Sequence, residues 1–388
     1  HDRRGRSHTP REHHPYSIVF PQKEHRVSES ATASAPAKTQ PKAKKNRLSS
    51  GFFRFVLTRF LLIIPTVFIL VTIVFFVMRA TGDPISAAMG GRLTPEELQR
   101  RIHAAGYDRP LVVQYLDYLG GLLRGDLGTT LTDNQPVTTI LTRYGAATFE
   151  LAFLSLIVAL IVGIGLGRLA ARRRDHAADA GIRVFAILCY ATPVFFLGLM
   201  LKLVFAVWLN VLPPSGRSSF ASDMQFQRLV SPTGFYIIDA FQLGDMSVLV
   251  DVLRHAVLPA LALGLLTAGV FIRLVRTNVI STYTSGYVEA ARSRGVSEGR
   301  LLSKHAWRPA MIPIITVMGM QIALMLAGAV LTETTFEWKG LGFMLSQYLK
   351  QRDFVAVQGI VILIAIIVAV VNFIVDVISA LIDPRVRY

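Results

Sequence analysis

The chain has 388 residues, 52% of them hydrophobic and 17% charged, and 41 Lys and Arg against 25 Asp and Glu leave a net charge of +16. A soluble chain carries about 25% charged residues and a disordered one lacks this apolar content, so most of the chain fits neither class. Cys189 is the one cysteine, which excludes a disulfide framework, and a free thiol inside an apolar run serves packing.

Residues 1–50 are rich in Pro, Ser, His, Lys and Arg and have no sustained periodicity. We read them as a disordered basic N-terminal tail ahead of a transmembrane domain over 51–388. The tail holds His1, His8, His13, His14 and His25, but no His pair at i, i+4 lies on a predicted helix, so no metal site is expected. The basic stretch from Lys38 to Arg47 suits anionic lipid headgroups. The chain starts with His rather than Met, as a processed or partial chain would. No secretory signal peptide is expected, because the first apolar run comes too late and is too long.

Crossing a bilayer needs about 20 apolar residues for about 30 Å of hydrocarbon, and six runs come close. They cover 60–78, 151–167, 184–209 (interrupted by Lys202) and 257–272, then the stretch between Arg308 and Glu333 and that between Asp353 and Asp376. Six such runs are hard to bury in a soluble protein, so the expected fold is an all-α polytopic membrane protein with six transmembrane helices. An even number of spans puts both termini on one side. Arg168, Arg172, Arg173, Arg174 and Arg183 lie between the second and third runs, and Arg273, Arg276, Arg292, Arg294, Arg300, Lys304 and Arg308 between the fourth and fifth. The opposite segments are poorer in basic residues for their length, which puts both termini in the cytoplasm. These loops and the tail account for most of the basicity, and no nucleic-acid partner is implied.

The segment 80–147 is expected to form a small helical layer on the extracytoplasmic face. One helix starts with Thr94 as N-cap, Pro95 at the first position and Glu97 three residues beyond the cap. Another is predicted from Pro110 to Leu123, with Val113, Leu116, Leu119 and Leu123 at helical spacing, and Gly125-Asp126-Leu127-Gly128 ends it. The region 211–251 carries no clear signal.

Ionisable and polar residues in or near the spans are candidates for function. Lys202 could pair with Asp376, although snorkelling or a local interhelical hydrogen bond is the simpler reading. Glu333 could meet a solute's amino group or hold the outer loop in shape. Gln321 and Asn372 suit interhelical hydrogen bonds. Met318, Met320 and Met325 could line a flexible pathway or simply contact lipid and helices. His255 and His305 suit capping or interface roles better than metal ligation.

The most informative segment lies between the fourth and fifth runs. From Tyr287 to Pro313 it is too polar for lipid, and it reads as a short helix, a turn at Gly295 and a second helix up to Pro309. Ala290 and Ala291 allow close approach of another surface, Glu289 offers a carboxylate, and Arg292 and Arg294 offer donors. By residue type alone a solvated charged loop explains this segment as well.

The spacing Glu289-Ala290-Ala291, three residues, Gly295 closely resembles the EAA loop of ABC-importer permease subunits. The resemblance extends from about Phe53 to Tyr388 and is strongest to the peptide/nickel branch. It is carried by Gly82-Asp83-Pro84, by Asp108-Arg109-Pro110-Leu111 with Gln114-Tyr115, and by Gly125-Asp126-Leu127-Gly128. The stretch Glu333-Thr-Thr-Phe336-Glu-Trp338-Lys-Gly340-Leu341-Gly342 and the ending Asn372 to Asp376 with Asp383-Pro384-Arg385 carry it further. Two departures are Lys339, where the family usually has Pro, and Gly106-Tyr107-Asp108 in place of Gly-Leu-Asp.

The resemblance implies a type I importer permease whose coupling loop, 277–309, docks an ATPase through Glu289, Ala290, Ala291, Arg292, Arg294 and Gly295. It implies a second homologous permease, two ATP-binding subunits and an extracytoplasmic solute-binding protein as partners in a cytoplasmic membrane, with membrane lipid around the spans. Glu333, Phe336, Trp338 and Gln321 become candidates for the pathway or outer gate. The chain itself is expected to be non-catalytic and without a cofactor, ATP and Mg being bound by the partner ATPases. In agreement, no lysine follows a glycine, so no phosphate-binding Gly-x-x-x-x-Gly-Lys-[Ser/Thr] loop is present. The expected cargo is a short peptide; haem, a nickel chelate or glutathione is the alternative within the same class, and a stand-alone secondary transporter is the rival outside it.

Overall fold

The computed structural model describes residues 48–382. The tail read over 1–50 falls almost wholly outside them, as do Asp383, Pro384 and Arg385. The described residues are helical, and the only β-type pairing among them is an isolated bridge between Thr129 and Pro136.

Helix α1 spans Leu48–Ala80, so it begins inside the stretch read as tail. It is followed by α2 (Pro84–Met89), α3 (Pro95–Ala104) and α4 (Leu111–Leu123). The predicted start of α3 is present: the Glu97 amide donates to Thr94 Oγ1 at 3.4 Å. Just beyond α3, the His103 ring at 2.5 Å holds the Asp108 carboxyl below its ordinary range. Helix α2 gave no periodic signal because it is one capped turn and a half, with the Ser86 amide donating to Asp83 at 2.7 Å.

Helix α5 runs Val137–Arg172, much longer than the apolar run that predicted it. At 1.5 Å per residue its 36 residues reach about 54 Å, well past the hydrocarbon. Its first turns therefore belong to the layer assigned to 80–147. The same holds for α10, Met246–Tyr283, with 38 residues. Close packing joins these two long helices. A side chain at Gly264 would meet the Ser155 carbonyl at 2.7 Å, and one at Gly167 would meet Val275 Cβ at the same distance. Small residues at such crossings let membrane helices gain van der Waals contact without a hydrophobic driving force.

The third predicted span is not one rod. Helices α6 (Ala177–Ala191) and α7 (Val194–Leu201) meet at a bend of 109°. Pro193 cannot continue the α6 ladder and keeps Thr192 extended, at ψ 127°. A π-helical turn, Lys202–Trp208, follows α7. The segment 211–251, uninformative in sequence, contains α8 (Phe220–Phe226) and α9 (Tyr236–Leu243), which pack around Phe226, Val248 and Val252.

After α10 come α11 (Gly286–Ser293), the single turn α12 (Glu298–Arg300) and a second π-helical segment, Leu301–Ala306. Helix α13, Trp307–Phe336, continues directly from it. The predicted stop at Pro309 is thus absent, the helical backbone running through it from Leu301 into α13. The axis bends instead by 44° at the break between Met311 and Pro313. Helices α14 (Leu341–Lys350) and α15 (Phe354–Ile382) complete the bundle. Among the described residues, four helices, α1, α5, α10 and α15, are long and apolar enough to cross a membrane unbroken, and counting each of the two bent pairs as one span makes six.

Several charged side chains of the bundle find partners on other helices. Lys202 and Asp376 do not pair. Lys202 Nζ donates to the Thr335 carbonyl at 2.8 Å and lies over the Phe336 ring, the interhelical alternative. Asp376 instead faces Arg59 at 3.0 Å, fastening α15 to α1. Arg276, assigned to a loop by its neighbours in sequence, lies on α10 and clamps Asp179 at the start of α6 through two hydrogen bonds of 2.7 Å.

Candidate functional site

Two sites lie at opposite ends of α5 and α10. The first is built on α11. Helix α10 ends at Tyr283, and Ser285 starts a new helix at Gly286. Its termination follows from Gly295, which adopts φ +79°, as the sequence predicts. The Gly295 amide donates to the Arg292 carbonyl at 2.9 Å and the Val296 amide to that of Ala291 at 3.3 Å, the pair of bonds that closes a helix through a left-handed residue.

One face of α11 is anchored. Val288 is completely buried, as are Leu301 and Ala306 of the π-helical segment beneath it, and the Tyr287 hydroxyl donates to the His305 carbonyl at 3.4 Å. The opposite face is open: Glu289, Ala290 and Arg294 are exposed, and Ala291 is half-buried. Arg292 departs from the role expected of it as a free donor. Its Nε donates to Glu298 at 2.7 Å, it also bonds Glu289, and it stacks 5.0 Å from the Tyr283 ring. The Glu298 carboxylate raises the Arg292 pKa above its ordinary value. Arg292 therefore staples the loop, whereas Arg294 makes no ion pair among the described residues. The loop is also tied to the bundle, because the Arg168 guanidinium of α5 lies 4.3 Å above the Trp307 ring at the start of α13. Val288 was not legible as a site residue, since a single valine in a polar segment carries no spacing signal.

The second site is at the far end of α13. Glu333 is wholly buried and accepts from Thr148 Oγ1 at 2.6 Å and from the Phe343 amide at 2.9 Å. Trp338 is equally buried, and its Nε1 donates to the Ala147 carbonyl at 2.9 Å. Phe336 is buried against Leu258 and Ala262 of α10. The space beside Glu333 is about 10 Å³, too small for a solute. These three residues fasten α13 to α5 and α10. Gln321 is placed differently: with Leu263, Thr267 and Val270 of α10 it lines an open cavity of about 270 Å³. That cavity shares Tyr190 with a second one of about 240 Å³, bordered by Arg183, Arg273 and Thr277. The two form a trough along one face of α10. His255 stays on its own helix, with Nδ1 2.8 Å from the Asp251 carbonyl oxygen.

The chain matches the model of the binding-protein-dependent transport system inner membrane component over residues 163–388, and the model of the N-terminal part of such membrane components over 52–151. It belongs to that family. The permease is 37% identical over 336 residues to the di/tripeptide transport system permease protein DppB of Pseudomonas aeruginosa, covering 86% of this chain and 98% of that one. It is also 37% identical to the dipeptide transport system permease protein DppB of Escherichia coli K12, covering 86% and 99%. With the probable D,D-dipeptide permease DdpB of the same strain it shares 36% identity over 305 residues, covering 79% and 88%. Such permeases are non-catalytic, multi-pass inner-membrane subunits of ABC importers, in which a separate subunit hydrolyses ATP.

Proposed function

We propose that the permease forms one half of the translocation pathway of an ATP-driven importer for short peptides. Its partners are a second, homologous permease, two ATPase subunits and an extracytoplasmic solute-binding protein. The observation that carries the reading is the build of α11: anchored by Val288, stapled by Arg292, and presenting Glu289, Ala290 and Arg294 outward. An ATPase groove gripping that face would move α10 and α13 together, because the loop is continuous with both. ATP and Mg reside in those ATPases, whose closure would drive alternating access. The trough along α10 is open on one side and needs a facing chain to become a conduit; Gln321 would line it. Positive charge in the loops between α5 and α6 and between α10 and α13 supports a cytoplasmic α11 and cytoplasmic termini. The peptide cargo is favoured over haem, a nickel chelate or glutathione by the transport named for the relatives.

The test is reconstitution of the purified complex in liposomes with its binding protein and uptake of a radiolabelled dipeptide. Wild-type permease is expected to support ATP-dependent uptake. A bulky Ala290→Trp variant should insert normally yet lose co-purifying ATPases and uptake. Normal ATPase recovery and uptake in that variant would overturn the coupling role of α11.

A further inference from the structure

One cavity among the described residues has no place in the pathway above. About 690 Å³ in volume, it lies at the end of the bundle away from α11, between the start of α5, the 216–239 segment and the turn after α13. That size falls within the range of small-molecule sites, roughly 300–1,000 Å³.

Its charged lining divides into spent and unspent groups. Arg217 is compensated by Glu150 at 2.6 Å, and the Asp239 carboxylate accepts from the Thr233 and Gly234 amides and the Thr233 hydroxyl. Asp223 accepts from Ser218 Oγ at 2.5 Å. Of the charged lining residues only Arg217 has an ion-pair partner among the described residues; Asp223 and Asp239 are engaged by the hydrogen bonds just given, whereas Arg143, Lys339 and Glu337 are exposed and unpaired. Glu337 is held at φ +52°, a conformation uncommon outside glycine, which turns the chain back after α13. Lys339 is one of the two departures from the family pattern. The floor adds Tyr236, whose ring stacks 3.7 Å from the Arg217 guanidinium, and Arg217 Nε, which is buried without a hydrogen-bond partner.

Two unspent cations and one unspent carboxylate around an aromatic floor complement a small zwitterion. We infer that this cavity is a receiving site for the peptide cargo, with Arg143 and Lys339 taking its C-terminal carboxylate and Glu337 its ammonium group. The inference rests on the peptide-importer reading and adds to it a place where the solute is held before it enters the trough.

A thiol reporter tests it directly. Cys189 is buried, so Gln227→Cys, on the exposed wall of the cavity, supplies the accessible thiol of this chain. In the assembled transporter without its solute-binding protein, the rate of maleimide labelling of this chain is followed against added alanyl-alanine, its C-terminal amide and its N-acetyl form. The expected result is saturable, severalfold slowing by alanyl-alanine, weak slowing by either blocked form, and loss of protection in Arg143→Ala/Lys339→Ala. Equal slowing by the amide, or none by alanyl-alanine at the highest soluble concentration, overturns the site. Protection by peptide-free binding protein with none by alanyl-alanine also overturns it and reassigns the cavity to docking. Uptake of alanyl-alanine by the same complex, with binding protein restored, separates the two readings. Uptake without protection removes only the receiving site, whereas absence of uptake removes the peptide-importer reading and the site with it.

Discussion

The α11 end of the bundle and the end where Glu150, Arg217, Glu333 and Trp338 meet are held by opposite means. At the first, Arg292 bridges two exposed carboxylates, and one buried valine seats the helix. At the second, Arg217 and Glu150 are more than nine-tenths buried; the Arg217 Nη2 that meets Glu150 also donates to the Gly234 carbonyl, and the other Glu150 oxygen accepts from the Ile237 amide. Exposed ion pairs contribute little to stability, whereas breaking a buried pair is costly because it strands a charge. The contrast suits the two tasks. On the proposed docking role, the α11 loop has to be held in shape without being welded to the bundle, while the far end keeps α5, α13 and the 216–239 segment in register.

The sharpest way to break this comparison is at the buried pair. Glu150→Ala is expected to destabilise the permease by about 3–5 kcal/mol, seen as a large fall in detergent melting temperature. A fall no greater than that of Arg292→Ala would erase the distinction. Glu333→Ala leaves Thr148 and the Phe343 amide without their acceptor and should cost about 1–3 kcal/mol, measurable by the same melt. At the α11 end, Gly295→Ala forces a side chain into a left-handed turn at a local cost of about 1–2 kcal/mol. The melt should barely change, but hydrogen exchange over 286–296 should quicken and ATPase recovery should drop.

The smallest effect concerns pH at the far end of α10. The Ser247 hydroxyl and amide hold the Asp245 carboxyl below its ordinary range. A depressed folded pKa means that the cap's contribution is present above the unfolded value of about 3.9 and fades as pH falls through the folded one. Amide exchange in the first turn of α10 should therefore be flat with protonation of this group near neutral pH and rise in acid. In Asp245→Asn that acid-specific rise should vanish.

Much of this architecture was legible in sequence, and the reasons are local. Hydropathy reports a span without reference to its neighbours, Thr94-Pro95 announces a helix start, and Gly295 is the residue a left-handed stop requires. Boundaries were less legible where helices outran the membrane: the first turns of α5 and the last of α10 are polar, so the apolar runs underestimated both. Helices α8 and α9 were missed because they are short and become stable only by packing on α10.

The sequence by itself determined that the chain is an all-helical membrane protein with a polar loop that turns at Gly295, because apolar run length and a left-handed glycine are properties of neighbouring residues. Only the tertiary structure decided which charges meet. Lys202 went to Thr335 rather than Asp376, Arg276 to Asp179 and Arg217 to Glu150, since partners 67 to 133 residues apart are chosen by which helices pack side by side. It also decided the bend at Pro193 and the charged cavity away from α11, whose walls come from segments that share no pattern along the chain.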